Sequence, residues 1–175
     1  MKNSRPWLPL LPLLGFGAAV AAAGWFGARS SPRDFRNKLW YARLDKSPLH
    51  PPDSVFPIVW TALYALMAVS GYRAWLQPNS PARSRALCLW ATQLATNAKW
   101  TYLFFGQHRP KLALVDIFAL EAQIAGYILT AKEVDPAAAA CFVPYAAWVA
   151  FAAFLNAEIV RRNPHAEHLV PHGSR

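Results

Sequence analysis

Three groups of aromatic and amide side chains recur at helical spacing in this chain, and they are the residues best suited to holding a planar molecule. Pro57, Trp60, Tyr64, Met67 and Gly71 follow i, i+3, i+7, i+10, i+14 and therefore share one helix face. Gln93, Asn97, Trp100 and Phe104 form a second face, and Trp148, Phe151, Ala152, Leu155 and Asn156 a third. Indole and phenol rings offer flat apolar walls with one polar tip each. Asn and Gln carry donors and acceptors for which a lipid-facing surface has no use, so these faces should look inward. Two outcomes suit that geometry: bundle packing with interhelical hydrogen bonds, or a shared pocket of aromatic walls and sparse polar anchors, the usual form of a small-molecule site. A planar, largely apolar ligand fits the second.

Ionisable residues inside apolar stretches are the other candidates for chemistry. Lys99, Asp116, Glu121 and Glu158 each fall within one, and charges at membrane depth are costly enough to be paired or functional. If the third and fourth apolar segments turn back on each other near His108, Lys99 reaches the level of Asp116. An ion pair, or a lysine snorkelling to the interface, is then expected. Apart from Glu121 these groups crowd towards one side, which does not suit a proton relay across the membrane. His50, His108, His165, His168 and His172 lie in connectors or the tail; of these His50 could reach a ligand at a pocket mouth, and no metal site is expected. Cys88 and Cys141 lack a CxxC or a His partner and read as small core residues. The nucleophile elbow, zincin, P-loop and dinucleotide-binding patterns do not occur.

Such residues need rigid helices to position them. Of 175 residues, 55% are hydrophobic and 15% charged, against roughly 25% charged in soluble domains. The apolar residues come in blocks instead of alternating with polar positions. A membrane-crossing helix needs about 20 of them. Five blocks qualify, giving an all-α membrane protein whose single bundle of transmembrane helices spans about 7–28, 54–75, 86–107, 110–132 and 136–161. These make one domain over 1–164, with a flexible tail at 165–175. The first block follows Lys2 and Arg5 as a signal peptide would, but its 22 uncharged residues exceed a signal core of about 7–15, so a retained helix is expected. The net charge of +9 sits mostly in the connectors. Eleven Lys and Arg fall on the side of the long connector 29–53 and the C-terminus, and six on the other. The positive-inside rule therefore puts the C-terminus in the cytoplasm and the N-terminus outside. Cations so placed suit lipid headgroups, not nucleic acid.

Several segments together carry a family resemblance. WYARLDKSPLHPPDSVFPIVWTALYALM (Trp40–Met67), QLATNAKWTYLFFG (Gln93–Gly106), ALVD (Ala113–Asp116) and VPYAAWVAFAAFLN (Val143–Asn156) resemble, in order, the signatures of the translocator protein / tryptophan-rich sensory protein (TspO/MBR) family. The resemblance implies a five-helix bundle whose pocket opens under the long connector. It implies an integral membrane receptor or sensor that binds tetrapyrroles, protoporphyrin IX and haem, and related small hydrophobic ligands, with no covalently bound cofactor. It also implies a homodimer in a bacterial, mitochondrial outer or other organelle membrane, and the small-xxx-small pair Ala91/Ala95 offers a face for it. Pocket positions of the family match at Trp60, Asn97, Trp100, Trp148, Phe151, Ala152, Leu155 and Asn156; Tyr64 joins them from the face pattern. If the chain degrades porphyrin in light, as some bacterial members do, the resemblance assigns that to Trp60 and Trp148, oxidisable indoles that stack on a macrocycle. Porphyrin or sterol transport is a third reading. Ser54 stands where many members carry Trp, Leu112 where mammalian members do, and Lys99 where a neutral residue is common. Ala157 occupies the place of the Tyr in the sterol motif of animal members, so sterol binding is doubtful.

Overall fold

The computed structural model describes residues 10–30 and 35–168. Six α-helices run through them: α1 (Leu10–Ser30), α2 (Phe35–Arg43), α3 (Val55–Leu76), α4 (Pro81–Thr101), α5 (Pro110–Val134) and α6 (Pro136–Arg162). A π turn, Tyr102–Gly106, continues α4, and a short 3-10 turn covers Ala166–His168. Among the described residues there is no strand. Local chemistry fixes several starts. Pro81, Pro110 and Pro136 open α4, α5 and α6, where the missing N–H costs nothing and φ is already helical. Ser80 accepts a hydrogen bond from the Arg83 N–H at 3.1 Å, and Asp135 one from the Ala137 N–H at 3.0 Å, each satisfying an otherwise orphaned donor.

The expectation of five helices is corrected to six. The five long ones lie where the apolar blocks lie, and the sixth, α2, forms inside the connector expected as a loop. At nine residues it is too short to register as an apolar block, and helices of that length are held by tertiary packing, not by propensity. Trp40 supplies that packing: it is fully buried in a small cluster with Leu44, Phe104, Ala113, Ile159 and Ala166. The first expected helix begins at Leu10 among the described residues, with positions 7–9 outside them. Of the expected tail, Ala166 is buried against Trp40, and residues 169–175 lie outside the described part.

The long helices pack as a closed ring in the order α1, α3, α6, α5, α4 and back to α1. Four of them, α1, α3, α5 and α6, are long and apolar enough to cross a membrane. The fifth, α4, matches them in length, but Thr92, Gln93, Thr96, Asn97 and Lys99 lower its apolarity. The outer surface is apolar where a soluble protein would be polar: Ile58 is 72% exposed, Leu129 68% and Val115 67%. Such a surface is stable facing hydrocarbon, with backbone groups satisfied inside each helix. One end of the ring is closed by Met67, Trp90, Ile124, Tyr127, Phe142 and Tyr145. At the opposite end α2, the π turn and the segment after α6 gather together. There Trp40 Nε1 donates to Ala166 O at 2.9 Å, and the Asp45 N–H to Asn163 Oδ1 at 2.9 Å.

Candidate functional site

Beneath that gathered end the ring is hollow. A cavity of about 530 Å³ lies between α1, α3, the α4–π segment and α6, with α2 across its mouth. Four aromatic side chains make its walls: Trp60 and Tyr64 from α3, with ring centres 5.3 Å apart, and Trp100 and Phe104 from α4 and the π turn, nearly parallel at 5.2 Å. The π turn has a visible effect here. By inserting one residue into the ladder, with the Gln107 N–H bonding back to Tyr102 O at 2.8 Å, it lets both Phe104 and Phe105 reach the cavity; π-bulges of this kind are frequent at functional sites. Ala152 and Leu155 line the α6 side, and Gly24, Gly27 and Ala28 the α1 side. Gly24 is required there, because a Cβ would stand 2.8 Å from Tyr64 Cε2.

Polar groups are few and nearly all are held. Asn156 accepts from Trp100 Nε1 at 3.2 Å and donates to Pro110 O at 2.9 Å, tying α4 and α6 to the start of α5. Asn97 is buried below the cavity, donating to Tyr145 Oη at 3.1 Å and accepting a long hydrogen bond from Tyr64 Oη at 3.5 Å. At the mouth, Tyr41 Oη and His50 Nε2 are hydrogen-bonded, Lys46 sits over the Tyr41 ring at 4.1 Å, and Asp53 supplies a carboxylate. Burial, with the Asp53 charge added, raises the Tyr41 hydroxyl above the ordinary phenol range, so it stays neutral. Burial first, then the Lys46 charge, lowers the His50 imidazole below its usual value.

Of the residues singled out from sequence, the structure gathers Trp60, Tyr64, Trp100, Ala152, Leu155 and Asn156 on the cavity wall. Asn97 lies one layer beneath. Trp148 and Phe151 pack against each other at 5.8 Å, with Trp148 on the far side of Phe56, one ring removed from the cavity. Sequence reasoning missed the α1 glycines, Tyr41 and Phe105. The pair Gly24/Gly27 at i, i+3 was a readable signal for close approach; Tyr41 was not readable, since no apolar block announces α2. Lys99 Nζ is ion-paired to Asp116 Oδ1 at 2.6 Å, and Glu158 is held by Arg161 and Arg162 at the end of α6. Cys88, expected as a core residue, is exposed on the outer face of α4, and both cysteines are free thiols.

All-helical architecture among the described residues, with an apolar exterior and an aromatic cavity, defines the class: a multi-pass membrane protein. The family model for the TspO/MBR family matches residues 16–162. The chain is 36% identical to the Translocator protein of Bos taurus over 85% of its own length and 88% of that relative's. It is 36% identical to the Tryptophan-rich sensory protein of Cereibacter sphaeroides, over 86% of this chain and 90% of the relative. Protein CrtK of Rhodobacter capsulatus is 35% identical over 83% and 89% respectively. The chain belongs to the TspO/MBR family.

Proposed function

We propose that this protein is a membrane receptor or sensor that takes a tetrapyrrole such as protoporphyrin IX or haem, or a related small hydrophobic molecule, into the cavity under α2. The observation that carries this reading is the aromatic box of Trp60, Tyr64, Trp100 and Phe104 around about 530 Å³. That volume falls within the range of about 300–1,000 Å³ for ligand pockets, and parallel rings favour a flat partner. The cavity offers little polar specificity, which suits a macrocycle recognised by shape and stacking. In the same reading the chain crosses the membrane five times. Its α4 serves as the least apolar span, screened by its neighbours, with the connector carrying α2 and the C-terminus in the cytoplasm. Ala91 and Ala95, both exposed on α4, mark the face for a homodimer.

The test is a titration of purified protein with protoporphyrin IX, read by tryptophan quenching. Saturable quenching in the native protein that is lost in Trp60→Phe/Trp100→Phe supports the pocket; quenching undiminished in that variant places the ligand elsewhere. Illuminating the complex while the Soret band is followed separates holding from breakdown. Decay faster than that of free porphyrin would convert the receptor into a light-dependent degrading enzyme, with Trp60 on the cavity wall the first residue to substitute. Ligand flux into sealed vesicles would be the mark of a transporter.

A further inference from the structure

On the tetrapyrrole reading of the cavity, on which this rests, we propose that Tyr41 is an axial ligand to the iron of a ferric porphyrin and that His50 is the base that takes its proton. Among the described residues the cavity is lined by the hydroxyl side chains of Tyr41, Thr61, Tyr64 and Thr101. Three of these donate to oxygens that take up no proton: Thr61 to Pro57 O at 2.8 Å, Thr101 to Asn97 O at 3.3 Å and Tyr64 to Asn97 Oδ1 at 3.5 Å. Tyr41 Oη differs from them in being paired with a base, Nε2 of His50. A phenol so placed can become an anionic oxygen, the hard donor that ferric iron prefers, and Tyr is among the side chains that hold haem iron.

The surroundings fit that role. Trp100 and Phe104 lie within 22° of parallel and form a flat wall on which a macrocycle can stack. The Tyr41 ring stands at 71° to Phe104 and 65° to Phe105. It is thus nearly upright to a macrocycle lying on that wall, the attitude that lets its oxygen, not its ring face, approach the metal. Burial and Asp53 hold the phenol above its ordinary range, so Tyr41 ionises only under a bound cation. On binding, the phenol O–H bond breaks, an oxygen–iron(III) bond forms and the proton moves to His50 Nε2; no electron is transferred. Burial and Lys46 disfavour the imidazolium that results and Asp53 favours it, so the iron–oxygen bond drives the transfer. A ferric porphyrin core carries a single positive charge, which the phenolate cancels. Ferrous and metal-free cores carry none and gain nothing from Tyr41.

The test is a titration of the purified full chain in detergent with haemin and, separately, with metal-free protoporphyrin IX, both read by tryptophan quenching. Haemin should bind the tighter by roughly ten-fold or more, the scale on which metal-site partners act, and should show a phenolate-to-iron charge-transfer band that dithionite abolishes. In Tyr41→Phe, which keeps the ring against Phe104 and Phe105, the ratio of the two affinities should fall to parity and the band should vanish. His50→Gln should lower the ratio while leaving a weaker band. A native complex without the band, or a ratio and band that survive Tyr41→Phe, overturns the proposal. A ratio lost in His50→Gln but kept in Tyr41→Phe overturns it too, because the imidazole would then be the ligand. Absence of quenching by metal-free porphyrin in the native protein is a separate outcome: it overturns the tetrapyrrole reading itself, and this assignment with it.

Discussion

The two halves of this bundle are built from the same five helices and similar aromatic content, yet one is solid and the other hollow. In the solid half Met67, Tyr127, Phe142 and Tyr145 are fully buried, and Gly71 leaves no space at all: a Cβ there would stand 2.6 Å from both Phe16 Cδ1 and Trp90 Cε2. Ser70 Oγ accepts a hydrogen bond from Tyr127 Oη at 2.6 Å and donates one to Ala138 O at 2.7 Å. In the hollow half Gly24 is as tight against Tyr64, but beside it Ala28, Ala152, Trp60, Trp100 and Phe104 line an open space of about 530 Å³. The difference lies in what restrains the rings. Trp100 is held by Asn156, and Tyr64 by Asn97, itself bonded to Tyr145; these bonds resist collapse. Space stays open beside small residues where an amide fixes the ring along the wall, as Asn156 fixes Trp100.

That contrast predicts opposite responses to substitution. The largest effect belongs to the solid half: Met67→Ala should lower stability by about 2–5 kcal/mol, the range for emptying a fully buried site. It would be read as a fall in thermal unfolding temperature in detergent, with porphyrin affinity in the surviving folded fraction little changed. A hollow-half substitution should do the reverse. Ala152→Phe places a ring in the cavity, and porphyrin affinity should drop roughly ten-fold or more while the unfolding temperature holds, since ligand volume and side-chain volume compete directly. If Ala152→Phe destabilises as much as Met67→Ala, the hollow half is ordinary core. Smaller still is the roof. Asn163→Ala removes the hydrogen bonds linking Asn163 to Asp45 O and from the Asp45 N–H, both at 2.9 Å, each worth about 0.5–1.5 kcal/mol. Faster hydrogen exchange in α2 and faster porphyrin release are expected, with no change in the solid half.

Much of this division was legible from the amino-acid order. Apolar blocks announce the long helices because hydrocarbon demands length and continuity, and helical spacing put Trp60, Tyr64, Trp100 and Asn156 on inward faces. The pairing of Lys99 with Asp116 followed from hairpin arithmetic. What periodicity could not supply was anything set by three-dimensional fit. The helix α2 has no apolar block, being held by contacts of Trp40, Tyr41 and Asn37 with distant segments. The π turn depends on one extra residue that no local signal marks. Trp148 shares a face with Ala152 and Leu155 by spacing, yet Phe56 intervenes between it and the cavity. Which of several inward residues touches a ligand depends on depth and neighbours, and a face pattern reports neither.

The finest distinction between the halves is their response to pH. The imidazoles of the described residues whose surroundings shift them, His50 and His108, both lie at the roofed end. His50 is lowered by burial and Lys46, and His108, bonded through Nε2 to Asn37 Oδ1 at 3.0 Å, by burial and Arg36. Depressed imidazoles bind fewer protons in the closed roof than in an opened one, so roof stability rises with pH where they titrate. Their contribution is intact above the ordinary value of about 6.5 and is lost as pH falls through that value towards the lower one of the closed state. Between pH 7.5 and 5.5, hydrogen exchange in α2, corrected for its intrinsic pH dependence, should quicken, and α5 exchange should not. His50→Gln/His108→Gln should flatten the α2 profile whatever it does to the absolute rate. A profile equally steep in that variant would remove the imidazoles from the roof and leave the two halves alike in their response to acid.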